Sequence, residues 1–313
     1  MKYCPITYEQ IAANQQYSDR GLHLLSPQLK NLLPLAYSAD EQRREAYARV
    51  GKMSVQGVQT KLSAQLKVKS ERFELVDQYG HYILKPQSDI YAELPENEAL
   101  TMSLAALIGI EVPVHGLVYC QDGSMTYFIK RFDRVMQRQK LAVEDFSQLL
   151  AASRDTKYDS TMEKVCGVVL NPAFCSFPKI EALKFFKLTL FNFLVGNEDM
   201  HLKNFSLITR NRVTTLSPAY DLLNTTIAQK NASEELALSL HGKKRKLTRK
   251  DFIDYLAFER LQLNERSIES VLNDIRAAKQ KWYALIQKSF LSEQGKVAYR
   301  ALLDERWARL ALS

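Results

Sequence analysis

Five short runs of strand-forming residues crowd between Lys61 and Phe132, and one helix-like segment interrupts them. KLSAQLKV, RFELV, HYILKP, VHGLVYC and MTYFIKRF are rich in aliphatic, β-branched and aromatic residues. Gly80 and the turn Gln121-Asp122-Gly123 punctuate them. The interruption, LPENEALTMSLAALIGIEVP, reads as a helix. Pro95 stands near its start, Glu96 and Glu98 suit its first turn, Leu100, Leu104, Leu107 and Ile108 recur at helical spacing, and Gly109 suits its stop. After Asp133 the chain turns helical. VEDFSQLLAAS reads as an amphipathic helix, and IEALKFFKLTLFNFLVG as a buried one, being apolar on most sides. FSLIT and RVTTLSP read as a hairpin, and amphipathic helices follow a capping-box-like start at Thr248–Asp251. Residues 1–50 read as polar helix with apolar stripes in LHLLSPQLKNLLPLAY. The expected fold is α+β and two-lobed, with a β-rich N-lobe over 1–130 holding one embedded helix, and an α-helical C-lobe over 131–313.

The 313 residues suffice for such a plan, and 46% hydrophobic with 25% charged residues is ordinary for a globular chain. No apolar stretch reaches the roughly 18 residues of a membrane helix. MKYCPITYEQ has no apolar signal-peptide core, so no membrane association and a cytoplasmic location are expected. Cys4, Cys120, Cys166 and Cys175 form no C-x-x-C pair, which points to reduced, packed thiols rather than zinc or disulfides. The net charge of +8 favours anionic partners such as nucleotides or nucleic acid. Its densest cluster is Lys243-Lys244-Arg245-Lys246, with Arg249 and Lys250 close by. That cluster reads as a solvated face or as a contact for an acidic partner, tRNA or DNA. No aromatic residues interleave it, so base stacking has little support.

The chemistry centres on Gly196-Asn197-Glu198-Asp199-Met200-His201-Leu202-Lys203-Asn204. Asp199 and Asn204 have the spacing of a phosphotransferase catalytic loop, in which the Asp orients or deprotonates the acceptor hydroxyl and the Asn holds Mg²⁺. The spacing is common by chance, so its companions carry the argument. Lys85 ends the third strand-like run, where a phosphate-binding cation belongs. Glu98, with Glu96 competing, could pair with it from the following helix. Asp221 in SPAYDLLN stands where a second metal-binding Asp belongs, and Lys203 could neutralise the transferred phosphate. The loop Ser54–Ser63 could cradle phosphate through its backbone N–H groups, although it carries only Gly57 and lacks G-x-G-x-x-G. The order Lys85, Asp199, Asn204, Asp221 suggests ATP- and Mg²⁺-dependent phosphoryl transfer on a protein-kinase-like fold.

Seven ordered segments resemble the HipA-like serine/threonine kinases, the toxins of bacterial toxin–antitoxin systems. They are SVQGVQTKLS, YILKP, ENEALTMSLAALIGIEVP, FIKRFDR, EDFSQLL, GNEDMHLKNFSLI and LSPAYDLLN, over roughly residues 50–225. The resemblance implies a catalytic Asp199, Mg²⁺ ligands Asn204 and Asp221, and Lys85 on the ATP phosphates. It makes Lys130-Arg131-Phe132 an adenine-contacting hinge acting chiefly through backbone groups, and Gln148 a residue bordering the nucleotide. The family often has an acid where this chain has Lys130. Ser54 matches the family's inhibitory autophosphorylation site, and Ser63 is the next candidate. A phosphate at Ser54 would add about two negative charges beside those of ATP. Some 50 residues precede the loop here, which suits the short HipT type, partnered by a small HipS-like antitoxin and a HipB-like DNA-binding protein. DNA is then reached only through a partner, and the implied substrate is an aminoacyl-tRNA synthetase. Two alternatives stand beside this reading: an aminoglycoside-type phosphotransferase, and a kinase-like corepressor or scaffold without catalysis.

Overall fold

Short links between strand-forming runs favour antiparallel neighbours, and the first half of the chain folds accordingly. In the computed structural model, which describes residues 1–49, 59–135, 139–152, 156–229 and 233–312, the chain divides into two compact units. The first comprises residues 1–100, 113–139 and 287–291. It opens with the ladder β1 (Lys2–Tyr3) and β2 (Gln10–Ile11), then α1 (Asp19–Leu25) and α2 (Ala39–Arg49). The main strands are β3 (Leu62–Lys67), β4 (Arg72–Leu75) and β5 (Tyr82–Lys85), and, beyond α3 (Leu94–Ala106), β6 (His115–Tyr119) and β7 (Met125–Lys130). They form one antiparallel sheet ordered β4-β3-β5-β7-β6. Each expected strand is present, with α3 inserted after the third.

Inward residues of this sheet form the unit's core. Phe73, Tyr82 and Phe128 pack with ring centroids 5.0–6.2 Å apart, beside Leu62, Ala64 and Leu84. The helical reading of residues 1–50 is corrected here. Pro27 and Pro34 stop helix propagation, since proline lacks the N–H and clashes with the preceding turn. The chain between α1 and α2 therefore runs extended, with Leu33 N donating to Glu71 O at 2.7 Å and Leu35 N to Tyr119 O at 2.8 Å. Its leucines Leu29, Leu32 and Leu35 are buried in the sheet's core rather than on a helix stripe.

The second unit comprises residues 101–112, 140–286 and 292–313. Its elements are β8 (Ala142–Asp145), α4 (Phe146–Leu149), α5 (Met162–Leu170), α6 (Pro178–Val195), β9 (Ser206–Arg210), β10 (Val213–Leu216), α7 (Thr225–Ala228), a π-helical run Asp251–Arg260, α8 (Glu265–Lys288) and α9 (Glu293–Arg309). Helix α6 is its spine: Phe185, Phe186, Leu190, Phe191, Phe193 and Leu194 are all fully buried. The hairpin β9–β10 forms as expected, but VEDFSQLLAAS is not one amphipathic helix. Its first residues form β8, which adds to β9 with Val143 opposite Ile208 in a sheet ordered β10-β9-β8. Asp145 then caps the single turn α4 by accepting from Gln148 N. A distant strand partner outweighs the local helical pattern there. At the Thr248 start, Asp251 Oδ2 accepts from both the backbone N and the hydroxyl of Thr248 at 2.8 Å. Among the described residues no helix is long and apolar enough to cross a membrane, and all four cysteines are free and buried.

One glycine fixes how α6 ends. Gly196 caps the helix at φ 68°, its N–H on Asn192 O and Phe193 O. A Cβ there would lie 2.4 Å from Leu302 Cδ2 and 2.6 Å from Thr226 Oγ1. Gly196→Ala is therefore expected to cost about 1–3 kcal/mol, from left-handed backbone and crowding together. Urea unfolding of the two proteins measures it, and an unchanged midpoint would contradict the crowding argument.

Candidate functional site

The first unit supplies a buried ion pair. Lys85 closes β5, opposite Tyr127 of β7 in the antiparallel register. Its Nζ lies 2.5 Å from Glu98 Oε1 of α3, with side-chain exposures of 2% and 1%. The Tyr127 ring centroid is 5.5 Å from the same Nζ. Glu96 points elsewhere, accepting from Gln87 Nε2 at 2.7 and 2.9 Å, and burial raises its carboxyl above the usual range. Residues two apart on a helix face different directions, so only one of the two acids can meet Lys85. The sequence alone leaves both open; the structure brings Glu98 to the lysine. Two charges taken this far out of water face a desolvation cost that good geometry only roughly repays.

The second unit supplies the acidic loop. Beyond Gly196, Asn197 is fully buried; its Nδ2 donates to Asn192 Oδ1 at 3.1 Å, and its Oδ1 accepts from Asp199 N at 3.3 Å. The first turn of α7 staples the same stretch. Glu198 N donates to Thr225 Oγ1 at 2.7 Å, and the Thr225 and Thr226 hydroxyls both donate to Gly196 O at 3.1 Å. Asn204, in a 3-10 turn over Leu202–Asn204, donates from Nδ2 to Asp199 O at 2.8 Å. That bond orients the carboxamide through its nitrogen. Asp221 adopts a left-handed backbone, φ 54°, which Asp tolerates better than most residues. Its neighbour Tyr220 donates its hydroxyl to Lys203 O at 2.8 Å, tying this segment to the loop.

His201 reports on where the acids sit. Burial holds its pKa below the usual imidazole value, against an upward pull from Asp199; Lys157 pushes it further down, and Asp221 adds a smaller upward pull. The two carboxylates thus act on one imidazole. His201 Nε2 lies 2.8 Å from Lys157 Nζ, and Tyr158 Oη donates to Asp199 Oδ1 at 2.5 Å. A hollow of about 240 Å³ opens beside Asp199, lined by Tyr158, Glu198, Thr225, Gln229, Ser233 and Glu234. The Asn204 oxygen and the Asp221 carboxylate are hard oxygen donors, the set that Mg²⁺ takes from protein while keeping water and phosphate oxygens.

Lys203 Nζ lies 3.5 Å from Asp145 Oδ2. Gln148 is exposed and completes a capping box, its Oε1 accepting from Asp145 N at 3.0 Å. Lys130 ends β7 with its side chain exposed and its N–H on Val114 O at 2.8 Å; Phe132, just beyond, is half-buried. Ser63 lies on β3, whereas Ser54 and Gly57 lie outside the described residues. In the basic run, Lys243 pairs with Asp251 at 2.9 Å and Lys244 with Glu234 at 3.5 Å, so two of its cations are engaged within their own unit. Sequence pattern alone gives no chemical role to Asn197, Thr225, Thr226, Lys157 or Tyr158. Asn224-Thr225-Thr226 is a readable cap signal, with Asn224 Oδ1 accepting from Ile227 N. Nothing in the tripeptide Lys157-Tyr158-Asp159 marks it in sequence.

The chain is similar to a known family, to relatives by sequence and to solved structures. The HipA-like C-terminal domain model matches residues 53–282. A Haemophilus influenzae protein named "Putative kinase" is 27% identical over 324 residues, covering 94% of this chain and 93% of its own. A Sinorhizobium fredii relative, "Putative kinase Y4dM", is 34% identical over 70% of this chain, which spans about half of that protein, 55%. Among solved structures, Shewanella oneidensis MR-1 HipA, in a toxin–antitoxin complex with HipB and operator DNA, matches with a TM-score of 0.69. The identity is 23%, over 90% of this chain and 74% of that one. The Helicobacter pylori proinflammatory kinase CtkA matches with a TM-score of 0.54 and 18% identity, over 73% and 86%. At such identities the structural matches speak to the fold, a mixed α/β architecture with a curled β-sheet.

Proposed function

The chain belongs to the HipA-like C-terminal domain family, and from that premise we propose that it is an ATP- and Mg²⁺-dependent serine/threonine protein kinase. The observation that carries this reading is the buried Lys85–Glu98 pair at 2.5 Å. A lysine held this rigidly after the third strand suits the α- and β-phosphates of ATP, with Glu98 fixing its rotamer. The β-rich part, 1–130, would serve as the N-lobe and 131–313 as the C-lobe. Lys130–Phe132 and Gln148 would border the adenine end of the nucleotide.

Asp199 would accept a hydrogen bond from the acceptor hydroxyl and take its proton as the bond from that oxygen to the γ-phosphorus forms and the bond from the γ-phosphorus to the β–γ bridging oxygen breaks, releasing ADP. Asn204 and Asp221 would hold Mg²⁺, with the Asn204 carboxamide oriented through its nitrogen. Bound Mg²⁺ supplies charge neutralisation of the β- and γ-phosphates. Lys203 would add a positive charge near the transferred group. Aligning the groups and removing charge repulsion is most of what such a site must do. Purified protein should therefore label itself or a protein acceptor from γ-labelled ATP. Excess chelator should cut the rate at least about 100-fold, and restored Mg²⁺ should recover it. Undiminished transfer in chelator would remove the metal from the account.

The toxin role, an aminoacyl-tRNA synthetase substrate and inhibitory autophosphorylation at Ser54 are the finer parts of the proposal. So are the short HipT type and its HipS- and HipB-like partners. The Haemophilus influenzae relative, named a putative kinase and covered over 93% of its length, supports the kinase reading. The HipA complex with HipB and operator DNA supports a HipB-like partner, and DNA would be reached through that partner.

A second reading, transfer to an aminoglycoside-like acceptor, draws on one observation: Glu198 and Glu234 line the hollow beside Asp199. A cationic acceptor group would suit those acids. Phosphate found on free aminoglycoside and on no protein would favour it.

A further inference from the structure

The contact that the proposed chemistry leaves unused is the one on Asp199 itself. We infer that Tyr158 is a positioning residue for Asp199: its phenol holds one carboxylate oxygen so that the other faces the acceptor hydroxyl. This rests on reading Asp199 as the group that orients that hydroxyl.

The phenol donates to Asp199 Oδ1 at 2.5 Å, within the range of short, charge-assisted O–H···O⁻ bonds. Among the described residues it is the one hydrogen bond made to that carboxylate. An Asp side chain at the start of an irregular loop has two torsions to fix, and a donor on one oxygen restricts both. Oδ2 then retains its lone pairs for the incoming hydroxyl. Burial, followed by the bond to Asp199, raises the Tyr158 pKa well above its usual value, so the phenol stays a donor across the physiological range.

The segment that carries Tyr158 is anchored to the same loop at further points. Lys157 Nζ lies 2.8 Å from His201 Nε2, and Leu202 N approaches Lys157 O at 3.4 Å. The Tyr158 ring stands edge-on to His201, centroids 4.9 Å apart at 82°. His201 N in turn donates to Asp199 O at 2.9 Å. Residues 157 and 158 therefore clasp the loop from Asp199 to Leu202. These anchors argue against the opposite reading, a phenol that merely occupies the acceptor's place. A plug must leave on every turnover, and each anchor opposes its leaving.

Tyr158→Phe removes the donor and keeps the ring against His201. With γ-labelled Mg·ATP and self-labelling as the readout, the maximal rate should fall about 10- to 100-fold. The ATP concentration at half-maximal rate and the thermal midpoint should stay unchanged. In an Asp199→Asn background the same substitution should add no further loss, because the two act as one unit. An unchanged or raised maximal rate in Tyr158→Phe, or label mapped to Tyr158 itself, overturns the inference while leaving Asp199 in place. An equal loss in the Asp199→Asn background does the same. Full activity in Asp199→Asn alone would instead overturn the underlying reading of Asp199.

Discussion

Asp199→Asn should lower phosphoryl transfer by about 10²- to 10⁴-fold, the usual worth of a positioned general base, while leaving folding intact. The side chain is half-buried, and asparagine keeps the Oδ1 that accepts from Tyr158. Its backbone is held at both ends, N–H on Asn197 Oδ1 and C=O under Asn204 Nδ2. Asparagine is isosteric, so these bonds survive and only the proton acceptor is lost. Initial rates of label transfer, set beside urea unfolding midpoints, separate the two quantities. A variant with wild-type rates would remove Asp199 from the chemistry. One that is inactive and also unfolded would show that the carboxylate holds the loop after all.

Lys85→Ala should be costly for a different reason. It leaves the Glu98 carboxylate buried at 1% exposure without its cation, and breaking such a pair typically costs about 3–5 kcal/mol. Activity would be lost too, but the single variant cannot say whether through stability or through the phosphate contact. The pairing of Lys85→Met with Glu98→Leu separates them. Replacing both charges by apolar groups of similar volume is often neutral or stabilising, so unfolding midpoints should return to near wild type. Transfer should stay absent, because the cation proposed for the α- and β-phosphates of ATP is then gone. Recovered stability with recovered activity would make the pair structural only.

Much of the fold was legible because local signals agreed with tertiary ones. The strand runs from Leu62 to Lys130 are rich in aliphatic, β-branched and aromatic residues, and turn residues punctuate them. Helix α3 announced itself through Pro95, its early acids and its apolar spacing. Lys85, Asp199, Asn204 and Asp221 are candidates by order and spacing. What escaped was decided at long range. The extended stretch holding Leu29, Leu32 and Leu35 gets its backbone partners from Glu71 and Tyr119, which helical periodicity ignores. Strand β8 exists because β9 lies beside it. The choice of Glu98 over Glu96 needed the phase of α3 against β5. Tyr158 meets Asp199 through a contact between distant parts of the chain, so only coordinates reveal it.

If the Asp199–Asn204 loop and Asp221 act as proposed, phosphate passes from ATP to a serine or threonine hydroxyl. The direct measurement incubates purified protein with γ-labelled ATP and Mg²⁺ and maps the phosphate by mass spectrometry, wild type against Asp221→Asn. The account predicts phosphoserine or phosphothreonine in the wild type, Ser54 among the sites, and none above background in Asp221→Asn. Equal labelling of the two proteins, or no transfer from the wild type to itself or to any protein acceptor, would contradict it.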